Sequence, residues 1–136
     1  MILIKYVEEI TKEIEAFQYK EWEPADKDHF GRIVDWKKNA QTLIATDGDE
    51  LIGILEVEMK AGVMHIGSLM VKSSKQRQGT GKMLMEKAEE IAKEQNIHKI
   101  YLETGKTWSA ARFYEKLGYE KIAELPNYWV KHHFVI

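Results

Sequence analysis

The sequence predicts an α+β fold, an α/β/α sandwich with helices flanking a mixed, mostly antiparallel sheet. Three observations predict it. Apolar residues keep helical spacing from Ile10 to about residue 38, switch to strand-like runs from Gln41, and return to helical spacing at Gly79. Turn signals at Asp47-Gly48-Asp49-Glu50 and Ala61-Gly62 divide the middle of the chain into three strand lengths. Beyond residue 79, two amphipathic stretches alternate with short β-favouring runs. Read in sequence, the order is β-α-α-β-β-β-α-β-α-β-β around one sheet.

Each element has its own justification. Residues 2–7 are a short β-favouring apolar run, read as a first strand. Thr11 can cap a helix in which Ile10, Ile14, Phe17 and Trp22 keep helical spacing, with Pro24 closing it. Asp28–Lys38 reads as a second helix with Phe30, Ile33, Val34 and Trp36 on its apolar side. Gln41–Thr46, Leu51–Met59 and Val63–Val71 form an antiparallel meander. Gly79–Asn96 is the central helix, with a stripe of Leu84, Ala88, Ile91 and Ala92. Lys99–Thr104 is a strand, and Ser109–Leu117 a helix with Ala110, Phe113, Tyr114 and Leu117 on one face and Gly118 as its stop. Tyr119–Glu124 and Trp129–Val135 close the sheet around a Pro126-Asn127 turn.

Composition bounds the function. At 136 residues with 44% hydrophobic and 31% charged content, the chain reads as a single domain, residues 1–136, large enough to bury a core. A net charge of −2 gives no basic field for nucleic acid. There is no cysteine, hence no disulfide and no thiol nucleophile, which favours a reducing compartment. The apolar start, Met1-Ile2-Leu3-Ile4, is too short and too soon acidic for a signal peptide, and no run reaches the length of a membrane span. These observations predict a cytoplasmic protein with neither a nucleic-acid nor a membrane partner. His29, His98, His132 and His133 form no metal-ligand pattern, and no metal is expected.

The most informative stretch is Gln76-Arg77-Gln78-Gly79-Thr80-Gly81-Lys82, between a strand-like run and the central helix. Its glycines leave the backbone bare where a helix begins. The first N–H groups there lack internal partners and lie at the positive end of the helix dipole, so they suit phosphate. Two familiar phosphate loops do not fit. The spacing G-x-x-x-x-G-K-S/T is absent, and the third glycine of a dinucleotide G-x-G-x-x-G is Leu84 here.

The stretch resembles motif A of the GNAT acetyltransferase superfamily, Q/R-x-x-G-x-G/A. A second segment, Trp108-Ser109-Ala110-Ala111-Arg112-Phe113-Tyr114-Glu115-Lys116-Leu117-Gly118-Tyr119, resembles its motif B, at the right order and distance. The element order is also similar. The resemblance implies acetyl-coenzyme A as cosubstrate and a primary amine, of a small molecule or peptide, as acceptor. It implies direct transfer in a ternary complex, and it allows a homodimer. It places the cofactor against Gln76, Arg77, Gln78, Gly79, Thr80, Gly81 and Lys82, against the backbone of Leu69 and Val71, and against Thr107, Ser109 and Tyr114. Arg77 stands where glycine is common, and Thr107 where motif B has asparagine.

For catalysis, the resemblance puts Tyr114 at the position of a tyrosine that protonates the departing thiolate; a phenol stays protonated at neutral pH. The base has two candidates. His65 lies where some members place a glutamate on the strand before motif A, and an imidazole titrates near neutrality. Glu103 ends the next strand, where ribosomal-protein N-terminal acetyltransferases carry a glutamate. An ordered-water relay is the third route. Glu56, Glu58 and Glu103 lean toward a cationic amine, and the tryptophans Trp22, Trp36, Trp108 and Trp129 read as core and rim. The reading from another class is a non-catalytic acyl-coenzyme A-binding module, and a third is a nucleotide-binding protein using the same loop.

Overall fold

The computed structural model describes residues 1–136. The chain forms two compact units, Met1–Trp36 and Lys37–Ile136.

The first unit is one long helix, α1 (Lys12–Phe30), with a structured tail. Thr11 caps it as expected, its Oγ1 accepting from the Ile14 N–H. Three sequence expectations fail here. Residues 1–10 form no strand, because β-propensity without a ladder partner does not make one. Pro24 lies inside the helix rather than ending it. The turn around it holds although Pro24 gives up one backbone bond, helped by the Glu23–Lys27 ion pair. The helix stops instead at Gly31, in the left-handed conformation at φ 69°, whose N–H bonds the Lys27 carbonyl. The second helix over 28–38 is therefore absent. Residues 32–36 instead fold back onto Asp26, whose buried carboxylate accepts from the Val34 N–H at 3.0 Å and the Trp36 indole N–H at 3.1 Å.

The second unit begins with the meander the turn signals predict: β1 (Asn39–Asp47), β2 (Glu50–Lys60) and β3 (Val63–Val71), each antiparallel to the next. Helix α2 (Thr80–Glu94) crosses over and leads into β4 (Lys99–Tyr101), which pairs parallel to β3. Leu55, Val57 and Met59 of β2 and Met64 and Ile66 of β3 make one buried sheet face. Leu84, Met85, Ala88 and Ala92 of α2 complete that core, which is the predicted helix stripe with Met85 added and Ile91 at its rim. Gly53 lets the helix approach: a Cβ there would lie 3.1 Å from Leu84 and 3.3 Å from Thr80.

The remainder of the unit is a second, three-stranded sheet. The single strand expected over 99–104 breaks after Tyr101 and resumes as β5 (Thr104–Gly105). Helix α3 (Ser109–Lys116) follows, then β6 (Glu124–Leu125) and β7 (Phe134–Val135), in sheet order β5-β7-β6. The closing strands are shorter than expected. Left-handed Val130 and Lys131 twist residues 129–131 into a 3-10 turn, which confines the ladder to the chain's end.

Candidate active site

The geometry of the site starts from one residue, Gly67. Opposite β2, Val57 faces Ile66 but Glu56 faces Ser68, so Gly67 is the extra residue of a β-bulge. A bulge bends its strand and sharpens the local twist. The parallel ladder between β3 and β4 covers only Val63–His65 against Lys99–Tyr101, and β3 runs on to Val71 alone on that side. The two parallel strands therefore open into a V. The Lys72 N–H bonds the Ile52 carbonyl on β2, so alternation turns the Leu69 and Val71 N–H groups to the opposite edge, toward the opening.

The glycine loop stands at the mouth of that opening. Gly79 is the left-handed N-cap of α2, at φ 88°, and no side chain caps the helix's first N–H groups. Gly81 sits where a Cβ would meet Phe113 at 3.4 Å and Leu69 at 3.8 Å, so the loop, β3 and α3 converge on one glycine. Arg77 adopts φ 60°, a left-handed conformation that explains why glycine suits the position. Gln76 donates from its amide to the Val71 carbonyl at 3.1 Å, tying the loop to the end of β3. The upstream lysines have partners in the β1–β2 turn: Lys72 pairs with Glu50, and Lys75 with Asp47 at 2.8 Å. Between α2 and α3 lies a cavity of about 470 Å³ lined by Lys82, Glu86, Phe113 and Lys116 among others.

At the apex of the V, sequence rivals become partners. His65 on β3 and Glu103, just past β4, are 2.7 Å apart, Nε2 to Oε2. Both are well covered, with 29% and 12% of their side chains exposed. Register explains the meeting. His65 stands opposite Glu58 on β2 and Tyr101 on β4, and Glu103 lies two residues past Tyr101. The Tyr101 ring lies 4.7 Å from the imidazole. Burial, then the neighbouring carboxylates of Glu103 and Glu58 and the phenol of Tyr128, push the Tyr101 phenol up. Glu58 faces Lys38 at 3.7 Å. The sequence reading missed Tyr101, although its place opposite His65 follows once β3 and β4 are paired in register.

Tyr114 lies on α3, half-buried between the rings of Phe113 and Tyr119. Burial raises its phenol above the ordinary value. The side chain lines a cavity wall with Leu102 and Thr104, in a space of about 400 Å³ bounded by β4, residues 118–122 and Ile136. Ser109 is the first residue of α3 and not its N-cap, which is Trp108. Thr107 and Ser109 are exposed. Trp108 packs on Gly105 and edge-on to Phe134, Trp129 stacks on Tyr128, and Trp36 serves Asp26. No group of three or more potential metal ligands occurs, and no helix is long and apolar enough to cross a membrane.

A parallel strand pair opened by a bulge, with a glycine loop and uncapped helix at its mouth, defines the acetyltransferase class of α+β proteins. The GNAT acetyltransferase family's sequence model matches residues 7–119, and the chain belongs to that family. No curated protein sequence matches the chain. Solved structures do. An acetyltransferase from Bacillus cereus is 22% identical, with 96% of this chain and 94% of that one covered at a TM-score of 0.70. An acetyltransferase from Agrobacterium tumefaciens is 21% identical over 98% and 96%, at 0.68. A streptothricin acetyltransferase from Bacillus anthracis, solved with acetyl coenzyme A, is 26% identical over 73% and 61%, at 0.66.

Proposed function

We propose that the chain is an acetyl-coenzyme A-dependent N-acetyltransferase, acting as one domain over residues 1–136 and, in its cytoplasmic setting, on a primary amine. The observation that carries the reading is the V between β3 and β4, with a paired histidine and glutamate at its apex and the glycine loop at its mouth. The family's structures with bound acetyl coenzyme A, such as the streptothricin enzyme, support the choice of cofactor.

In this reading the N–H groups at the start of α2, Thr80, Gly81 and Lys82, hold the pyrophosphate, with Gln76, Arg77, Gln78 and Gly79 shaping the loop. Lys82, which faces Glu86 at 3.7 Å, and Lys116 line one groove from which both ammonium groups can turn to the nucleotide end. Thr107 and Ser109 flank the pantetheine arm. The Leu69 and Val71 N–H groups point into the opening, where one donates to the oxyanion. A neutral amine attacks the thioester carbonyl carbon and a C–N bond forms. The C–S bond then breaks, its electron pair leaving with sulfur. The His65–Glu103 pair removes the nitrogen's proton, and Tyr114 protonates the thiolate before recovering a proton from solvent. Without a cysteine, no acetyl-enzyme thioester forms. Glu56 and Glu58, on the same sheet face as His65, favour a cationic acceptor.

Calorimetric titration with acetyl coenzyme A, with ATP and NADH as controls, tests the cofactor. One saturable site, lost in Gly79→Asp, is expected, because the carboxylate would face the phosphates at the helix's positive end. Equal or tighter binding of ATP or NADH would overturn it. Amine-dependent release of coenzyme A then separates the enzyme from a binding module.

A further inference from the structure

We infer that His65 and Glu103 contribute unequally to proton removal. Nδ1 of His65 is the atom that accepts the amine's proton, and Glu103 is a positioning residue that fixes the imidazole tautomer. The inference rests on the acetyltransferase reading and adds the roles of single atoms to it. An ionised carboxylate has no proton to give, so a 2.7 Å contact to Nε2 requires that Nε2 carry the hydrogen and donate it. A neutral imidazole has one N–H, so the lone pair is then on Nδ1. Nothing else in the protein bonds the ring, which leaves Nδ1 available.

The surroundings keep that arrangement in place. Tyr101 covers the imidazole with its ring centroid 4.7 Å away and tilted 33°, which opposes a ring flip that would put Cε1 in place of Nε2 against Glu103. The charged and titratable groups facing the pair are Glu58 from β2, answered by Lys38, together with Tyr101 and, beyond it, Tyr128. As the C–N bond forms, the proton passes from the amine nitrogen to Nδ1, and the imidazolium is balanced by the Glu103 carboxylate at Nε2. The proton then leaves to solvent, restoring the same tautomer. Glu103 accepts no proton at any step, so it is not a second base.

The test combines a spectroscopic reading with kinetics. Long-range proton–nitrogen spectra of the nitrogen-labelled protein at pH 8, with His65 signals identified through His65→Gln, report which ring nitrogen carries hydrogen. The Nε2–H tautomer is expected in the wild type. In Glu103→Gln the amide can donate or accept, so an Nδ1–H population is expected to appear. Glu103→Gln and His65→Gln should each lower kcat about 100-fold, with the double variant no slower, because the residues act as a unit. Tyr101→Leu removes the ring that covers the imidazole and should lose part of both tautomer and rate. An Nδ1–H tautomer in the wild type, or independent multiplicative losses in the double variant, would overturn the assignment. The tautomer needs no turnover to be read. A protein that acetylates no amine yet shows Nε2–H dependent on Glu103 would sink the activity and leave the pair standing.

Discussion

Tyr114 is the residue whose chemistry is most exposed to a simple test. Its phenol is raised by burial, so the protonated form that can donate to a thiolate persists above the ordinary value near 10. Tyr114→Phe removes the hydroxyl and keeps the ring between Phe113 and Tyr119. The expected result is a loss of about 10- to 100-fold in kcat with acetyl-coenzyme A affinity unchanged. Any alkaline fall in kcat due to Tyr114 should begin above pH 10 and vanish in the variant. Tyr119 makes the companion stability prediction. Burial, then the Glu89 carboxylate to which its hydroxyl donates at 3.3 Å, drive its phenol strongly upward. A raised folded value means its contribution is complete below about pH 10 and declines as pH climbs beyond the unfolded value. Denaturant unfolding at pH 8 and pH 10.5 should therefore show a loss at the higher pH that is smaller in Tyr119→Phe.

At the scale of elements, sequence period and turn chemistry located what local rules govern. The meander, the central helix and its stripe, and the helix ended by Gly118 follow from alternation, spacing and glycine placement. Past its Thr11 cap, the first unit was illegible for a specific reason. A proline inside a helix, and a buried aspartate catching a backbone N–H and an indole further along the chain, are tertiary events that no window of spacing contains. Asp26→Ala should leave the Val34 N–H and the Trp36 indole without their acceptor and cost about 1–3 kcal/mol, read as a lowered urea midpoint with changed Trp36 emission. The dock of α2 on the sheet gives a second prediction. Gly53→Val would drive methyls into Leu84, Thr80 and the Met70 carbonyl, costing about 1–3 kcal/mol by overpacking. Because Thr80 opens α2, acetyl-coenzyme A affinity should also fall. Gly79→Ala, with open space around its Cβ, should cost only its backbone strain, about 1 kcal/mol.

For the whole molecule, the informative distances are those between residues far apart in sequence. His65 and Glu103 are 38 positions apart, and read singly they competed for one role. Only the parallel register of β3 with β4 makes them a pair, and that register stops at His65, two residues before the Gly67 bulge. The loop glycines were legible from the outset because their requirement, bare backbone at a helix start, is local. Gly81 shows how the scales join: it is a loop residue by sequence, yet it is also the point where β3 and α3 meet. A ligand seated there would bind the folded arrangement and not the unfolded chain, so binding must raise stability. At a free concentration one hundred times Kd the gain is about 2.7 kcal/mol. Thermal unfolding with acetyl coenzyme A should therefore shift upward by several degrees, and coenzyme A should act in the same direction. Gly81→Val should abolish the shift, because its side chain fills the junction between Phe113 and Leu69. Since that variant is itself strained, its midpoint without ligand must be compared first; a full ligand shift from the lowered baseline would show that the phosphates sit elsewhere than on the start of α2.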